Sequence, residues 1–230
     1  AGFTGGDPIV LEYERTSRGT EPVWMPDDDD GFTLRNVPVF LRWVPTRTTT
    51  RPVGYVLPPA MASVVPLLLD HDIAVYRFRA PATLDAEVYY ATEVRQDEYF
   101  QGHYLKSVEV EKRREQVEVA EGWYWIPTAQ SRANLISYIM EPETDDNLIT
   151  WGWTDHVLEV RPATVAEAMA RIDTTGMSAE RLERVRERVR ERIEEGQRVP
   201  MIRITRYQPM PVARMQPFNQ YQRNRYYLPY

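Results

Sequence analysis

The chain has 230 residues, no cysteine, three histidines (His71, His103 and His156), and 28 basic against 34 acidic side chains, for a formal charge of -6. A chain of this length buries about 70% of the surface its unfolded form exposes, so a hydrophobic core alone can hold it. The composition excludes disulfides, thiolate zinc sites, iron–sulfur clusters and cysteine nucleophiles, and the acidic balance with dispersed cations argues against nucleic acid as the main partner.

Residues 1–50 are rich in Pro, Gly, Thr and charge and carry only short apolar runs, so they read as an extended N-terminal arm with one or two strands. The sequence opens Ala1-Gly2-Phe3 without an initiator methionine and reads as a mature product, its signal peptide removed, which points to an extracytoplasmic, periplasmic or secreted location. The run Asp27-Asp28-Asp29-Asp30-Gly31 fails as a helix-loop-helix calcium loop. With Gly31 at the glycine position, Pro26 falls first and Val37 last, where carboxylates are required. A hydrated acidic turn is expected instead.

From residue 51 the pattern becomes regular. Residues 53–57 form a short apolar strand, Pro58-Pro59 open a helix towards Leu69 that Pro66 shortens or bends, and residues 73–78 form a second strand. This succession predicts a parallel pair with a right-handed crossover, a βαβ unit. Strand-like runs follow at 84–94, 105–110, 116–119 and 123–126, and the alternation at Val108/Val110 and Val117/Val119 predicts one wet face. Between two of them, Glu111-Lys112-Arg113-Arg114-Glu115 reads as the polar turn of a hairpin. Residues 129–140 fit a helix packed on the sheet. Thr164-Val165-Ala166-Glu167 has capping-box spacing and starts a short helix to about Ile172. Ser178 then caps a longer helix over 179–195, stopped by Gly196, whose Leu182, Val185, Val189 and Ile193 make only a narrow apolar stripe. No run reaches the ~18 to 20 apolar residues of a membrane-spanning helix.

The predicted class is α/β in the broad sense (α+β): a mixed β-sheet with a βαβ unit and hairpins over 51–206, a helical insertion at 161–198, and extended arms at 1–50 and 207–230. The C-terminal arm has five Tyr, four Pro, three Arg and no acidic residue, and its prolines exclude a continuous helix. Tyr, Trp and Arg are enriched where interfaces bind strongly. Trp24 of the first arm and Arg214, Phe218, Tyr221, Arg223, Arg225, Tyr226, Tyr227 and Tyr230 of the second are therefore the candidate partner-binding residues.

Chemistry is sparse. His156-Val157-Leu158-Glu159 has the His-x-x-Glu spacing of zinc carboxypeptidases, but a catalytic zinc needs a third protein ligand, and no histidine follows. His71 and His103 lie upstream on separate predicted elements. Nucleophile elbows and phosphate loops are absent from the sequence. Glu141, Glu143, Asp145 and Asp146 read as an acidic turn whose carboxylates cap nearby amides. No catalytic residue, metal ligand or cofactor is expected.

Residues Met140-Glu141-Pro142-Glu143-Thr144-Asp145-Asp146-Asn147-Leu148-Ile149-Thr150-Trp151 resemble a signature in the C-terminal portion of bacterial M14-family zinc carboxypeptidases. Arg51-Pro52-Val53-Gly54-Tyr55-Val56-Leu57-Pro58-Pro59 resembles the start of that portion, and 67–75 its helix-to-strand step. Gly122-Trp123-Tyr124-Trp125-Ile126-Pro127-Thr128-Ala129-Gln130 and Pro200-Met201-Ile202-Arg203-Ile204 resemble two later segments. The resemblance covers 37–160 and 199–205. The family's metal ligands sit in an upstream half without a counterpart here, so no zinc ligand carries over. What this implies is a noncatalytic extracytoplasmic accessory or structural subunit. It would bind other protein subunits, as in a membrane-associated complex, through its arms and inserted helices, with no nucleic acid and no transmembrane segment of its own. The alternative is a C-terminal fragment of an active zinc carboxypeptidase whose catalytic half lies upstream or in another chain. A third reading, a sugar-binding module, rests on Trp123, Trp125, Trp151 and Trp153, which are more often core residues in β structures.

Overall fold

The computed structural model describes residues 6–28 and 31–215. They form two units, Pro8–Thr50 and a second made of Arg51 onward with the residues preceding Pro8.

The first unit is a nested hairpin. Its strands are β1 (Pro8–Thr16), β2 (Thr20–Pro26), β3 (Phe32–Pro38) and β4 (Arg42–Thr50), with β2 paired to β3 and β1 to β4, all antiparallel. Backbone bonds from Arg18 N–H to the Val39 carbonyl (2.8 Å) and from Val39 N–H to the Gly19 carbonyl (2.9 Å) continue the ladder between the two pairs. Asp27 closes the inner turn: Oδ1 accepts from Gly31 N–H at 3.0 Å and Oδ2 from the Thr33 hydroxyl at 2.8 Å. Asp27, at the start of the acidic run, is thus part of a hairpin turn. Four strands replace the expected one or two because ladder bonding, rather than an apolar core, organises this stretch. Among its described side chains only Ile9 and Leu11 are buried.

The second unit carries, in chain order, β5 (Gly54–Leu57), a 3-10 turn (Pro59–Met61), α1 (Val64–Asp70), β6 (Tyr76–Phe78), β7 (Ala82–Phe100), β8 (His103–Val119), β9 (Tyr124–Pro127), α2 (Ala133–Met140), α3 (Val165–Ala170), α4 (Ala179–Glu195), β10 (Gln197–Arg198), β11 (Ile202–Ile204) and β12 (Val212–Arg214). Eight strands make one sheet in the order β10-β7-β11-β5-β9-β6-β12, with β8 also on β7. The fold is α+β, as expected. β5 is buried on both faces, and its alternation divides the core: Tyr55 and Leu57 join Leu68, Tyr89, Ile136 and Met140 in one cluster, while Val56 joins Phe78, Leu84, Trp125 and Ile204 in the other.

Three expectations require correction. β5 and β6 run parallel, but β9 lies between them and pairs antiparallel with both, so the βαβ unit is split and every strand pairing is antiparallel. The helix after β5 is short, as expected: a 3-10 turn is followed by the seven-residue α1, with Pro66 in its first turn. Residues 111–115 are not a turn: they lie within the 17-residue β8, opposite 86–90 of β7. Two of their three cationic side chains lie on aromatic rings, Lys112 Nζ 5.3 Å from the Tyr89 centroid and the Arg113 guanidinium 4.3 Å from that of Tyr90, while Arg114 pairs with Glu87 at 3.3 Å, which reconciles a charge run with a strand. The true turn is Gln101-Gly102, with φ of 48° and 89°, the left-handed pair that two-residue hairpins favour. Finally, the C-terminal stretch does not leave the domain at residue 207. Gln208 grips the Asp85 backbone (accepting at 3.1 Å, donating at 2.9 Å), and β12 extends the sheet on the open edge of β6.

The helical insertion follows local signals closely. Thr164 and Ser178 hydroxyls accept from Glu167 and Arg181 N–H at 3.2 and 3.3 Å, and Gly196, at φ 74°, ends α4. α4 buries no residue fully.

Candidate functional site

Among the described residues, a conspicuous apolar surface belongs to the inner hairpin of the first unit. Residues opposite each other in a ladder share a face, and so do residues two apart on one strand. Trp24 pairs with Leu34 and Pro26 with Phe32, so Trp24, Phe32 and Leu34 stand together, exposed by 66%, 66% and 51%. Pro22 shares the same face. The β1–β4 pair repeats the theme. Tyr13 and Trp43 meet edge to face at 4.8 Å, Arg15 lies 5.3 Å from the Trp43 ring centre, and Val10, Tyr13, Trp43 and Pro45 line an open hollow of about 380 Å³.

Of the residues singled out from sequence, Trp24 therefore lies on an exposed aromatic face. Arg214 lies on β12, opposite Tyr76. Phe218, Tyr221, Arg223, Arg225, Tyr226, Tyr227 and Tyr230 lie outside the described residues. Phe32, Leu34, Tyr13 and Trp43 were missed; their signal is a period-two alternation that short, proline-interrupted strands conceal.

Inside the second unit lies a buried polar cluster. Glu141, fully buried at the end of α2, accepts from the Tyr55 hydroxyl at 2.6 Å and from the Tyr89 hydroxyl. Arg203 Nε lies 3.1 Å from Glu141 Oε1, and Arg203 Nη1 donates to Glu87 at 2.8 Å. Burial, reinforced by Glu141, pushes both tyrosine pKa values up; Arg203 opposes the shift without cancelling it. Burial alone would lower the Arg203 pKa, but Glu141, the two tyrosines and Glu87 together raise it. At neutral pH both tyrosines therefore keep their protons as donors and Arg203 stays cationic. The expectation of an acidic turn capping local amides is wrong for Glu141: its partners are 52 to 86 residues away.

Other residues from the segments that carry the family resemblance have comparable duties. Asn147 donates to the Pro142 carbonyl at 3.0 Å and accepts from Ile149 and Thr150 N–H at 2.8 and 3.0 Å. Gln130 accepts from Ala74 N–H at 2.7 Å and donates to the Pro127 carbonyl at 2.6 Å. The Thr128 hydroxyl donates to the Pro52 carbonyl at 2.6 Å. These side chains satisfy backbone groups and hold loops to the sheet.

For His156, Nε2 lies 2.7 Å from the Ala60 carbonyl oxygen, a contact that ties the 156 loop to the 3-10 turn. Among the described residues no three His, Cys, Asp or Glu side chains assemble as a metal site, and no helix is long and apolar enough to cross a membrane. Trp125 is buried in the second core cluster, Trp123 packs against that cluster and Trp153 against the first, while Trp151 Nε1 donates to Asp146 at 3.1 Å. No family model, curated protein or solved structure matches this chain.

Proposed function

We propose that the chain is a noncatalytic, extracytoplasmic accessory or structural subunit that binds other proteins, with the hairpin of Pro8–Thr50 as its docking element. The observation that carries this reading is the single exposed face bearing Trp24, Phe32 and Leu34. Three large apolar side chains gathered on one face, beside polar strands, have the make-up of an interface core with a polar rim. The opposite face carries Val23 and Met25 with Thr33 and Arg35. A stoichiometric partner isolated with the native protein after a high-salt wash should be lost from W24S/F32S and retained by V23S/T33S. Retention by both variants would overturn the assignment of the docking face.

A second reading is that the chain is the C-terminal portion of a zinc carboxypeptidase whose catalytic half lies upstream or in another chain. Its support is the convergence of Tyr55, Glu141 and Arg203, one from each of three segments that carry the resemblance, on one buried cluster. Intact mass of the native protein and zinc-dependent release of C-terminal amino acids separate the two readings.

A further inference from the structure

The helical insertion holds a feature that the docking role does not use. Arg161, Arg171 and Arg192 line a hollow of about 260 Å³ whose other walls include Ile172, Val189 and Ile193. Arg161 is fixed by backbone bonds in both directions with Val94 of β7, at 3.1 and 2.9 Å. Its Nη1 is buried and has no hydrogen-bond partner among the described residues. Leaving such a donor unmatched is costly, more so when it is charged.

Charge in the hollow is unbalanced. Arg192 lies 3.6 Å from Glu159, the one carboxylate among the lining residues, and Glu195 acts on Arg161 from outside them, so three guanidinium groups still outnumber the carboxylates. Burial, and then repulsion from Arg192, lower the Arg161 pKa, and Glu195 and Glu159 do not offset them. A guanidinium stays protonated at neutral pH even so. Planar guanidinium forks match the two oxygens of a carboxylate or phosphate, and the aliphatic walls match a short hydrocarbon body.

We propose that this hollow between α3, α4 and the 159–162 segment binds a small organic oxyanion, with its carboxylate or phosphate head on Arg161 and Arg171 and its apolar body against Ile172, Val189 and Ile193. The site is small and one-headed, suited to a single anionic group on an aliphatic chain of a few carbons. It is preorganised on one side by the Val94–Arg161 bridge and on the other by α4.

The test titrates hexanoate, hexyl phosphate, hexanol and inorganic phosphate into the full chain, followed by calorimetry. Saturable binding of at least one hexyl anion, in the millimolar range or tighter, is expected, and the stronger of the two identifies the head group. Hexanol and inorganic phosphate should each bind at least tenfold more weakly than the corresponding hexyl anion. R161M should weaken the anion tenfold or more with an unchanged far-ultraviolet spectrum. Should R161M fail to fold, the solvent-exposed R171M serves in its place, with a severalfold loss expected. The proposal is overturned by the absence of saturation with either hexyl anion, by equal binding of hexanol or of inorganic phosphate, or by unchanged affinity in a folded arginine variant.

Discussion

Arg203→Met isolates the buried cluster that joins β5, β7, α2 and β11. The substitution keeps a long apolar side chain but removes the guanidinium that lies 3.1 Å from Glu141 and donates to Glu87 at 2.8 Å. Glu87 retains Arg114 at 3.3 Å, near solvent. Glu141, fully buried, is left with the Tyr55 and Tyr89 hydroxyls and with Lys112, itself over the Tyr89 ring, as the remaining nearby cation. Breaking a buried pair from one side costs about 3–5 kcal/mol, a large part of the roughly 5–15 kcal/mol that holds a domain together. Glu141→Gln should cost less, about 1.5–3 kcal/mol, since Arg203 keeps Glu87 and the amide still offers an acceptor. Removing the whole polar set, as Y55F/Y89F/E141M/R203M, should recover most of the loss, because the buried carboxylate goes together with the Tyr55, Tyr89 and Arg203 groups that match it, while Glu87 keeps Arg114. Urea unfolding followed by circular dichroism, with slopes compared between variants, reads all three. An R203M loss below about 1 kcal/mol, or an E141Q loss exceeding that of R203M, would refute the reasoning.

Tyr55 and Tyr89 predict an alkaline limit. Their pKa values are raised in the folded state by burial and by Glu141, so above pH ~10 the unfolded chain releases protons that the folded chain retains. Their contribution to stability is complete below that pH and falls above it by up to about 1.4 kcal/mol per pH unit for each tyrosine. The fall in urea midpoint between pH 9 and 11 should be shallower in Y55F/Y89F than in the parent; parallel curves would exclude the mechanism. Gly54→Ala should destabilise by about 3 kcal/mol or more, because a Cβ there would lie 2.3 Å from Trp125 Cη2 and 2.5 Å from the Ile126 carbonyl oxygen, and the backbone oxygen cannot yield. A thermal melt of G54A within a degree of the parent would show that β9 can shift.

The legible parts of this sequence are those whose cause is local. Ser178, Gly196 and Thr164 announce helix ends because a cap acts within three residues of itself, and the structure places those ends where the caps stand. Residues 111–115 mislead because charge density points to a turn, whereas the rings of Tyr89 and Tyr90, on a strand over twenty residues upstream, decide that the run stays extended. Glu141 misleads in the same way: it looks like one carboxylate among several in an acidic stretch, and only Tyr55, Tyr89 and Arg203 reveal it as an interior anion. The candidate docking face was half visible. Trp24 stands out by residue type alone, but Phe32 and Leu34 join it only once the register of β2 with β3 is known.

That register also sets how strong such a face can be. Full burial of a large apolar side chain contributes about 1.5–3 kcal/mol, so Trp24, Phe32 and Leu34 together offer a gross gain of about 5–9 kcal/mol when a partner covers them. Association costs about 4–15 kcal/mol before side-chain ordering is counted, so these three residues alone give at best a weak complex. A stable one has to draw on more of the ribbon. The hollow beside Tyr13 and Trp43 and the outer strand edges, which are unpaired within their two-stranded sheets, are the nearby sources. Because the total stands close to the threshold, losing Trp24 and Phe32 should abolish binding rather than weaken it by degrees. Their exposure means the same substitutions should shift folding stability by no more than about 0.5 kcal/mol.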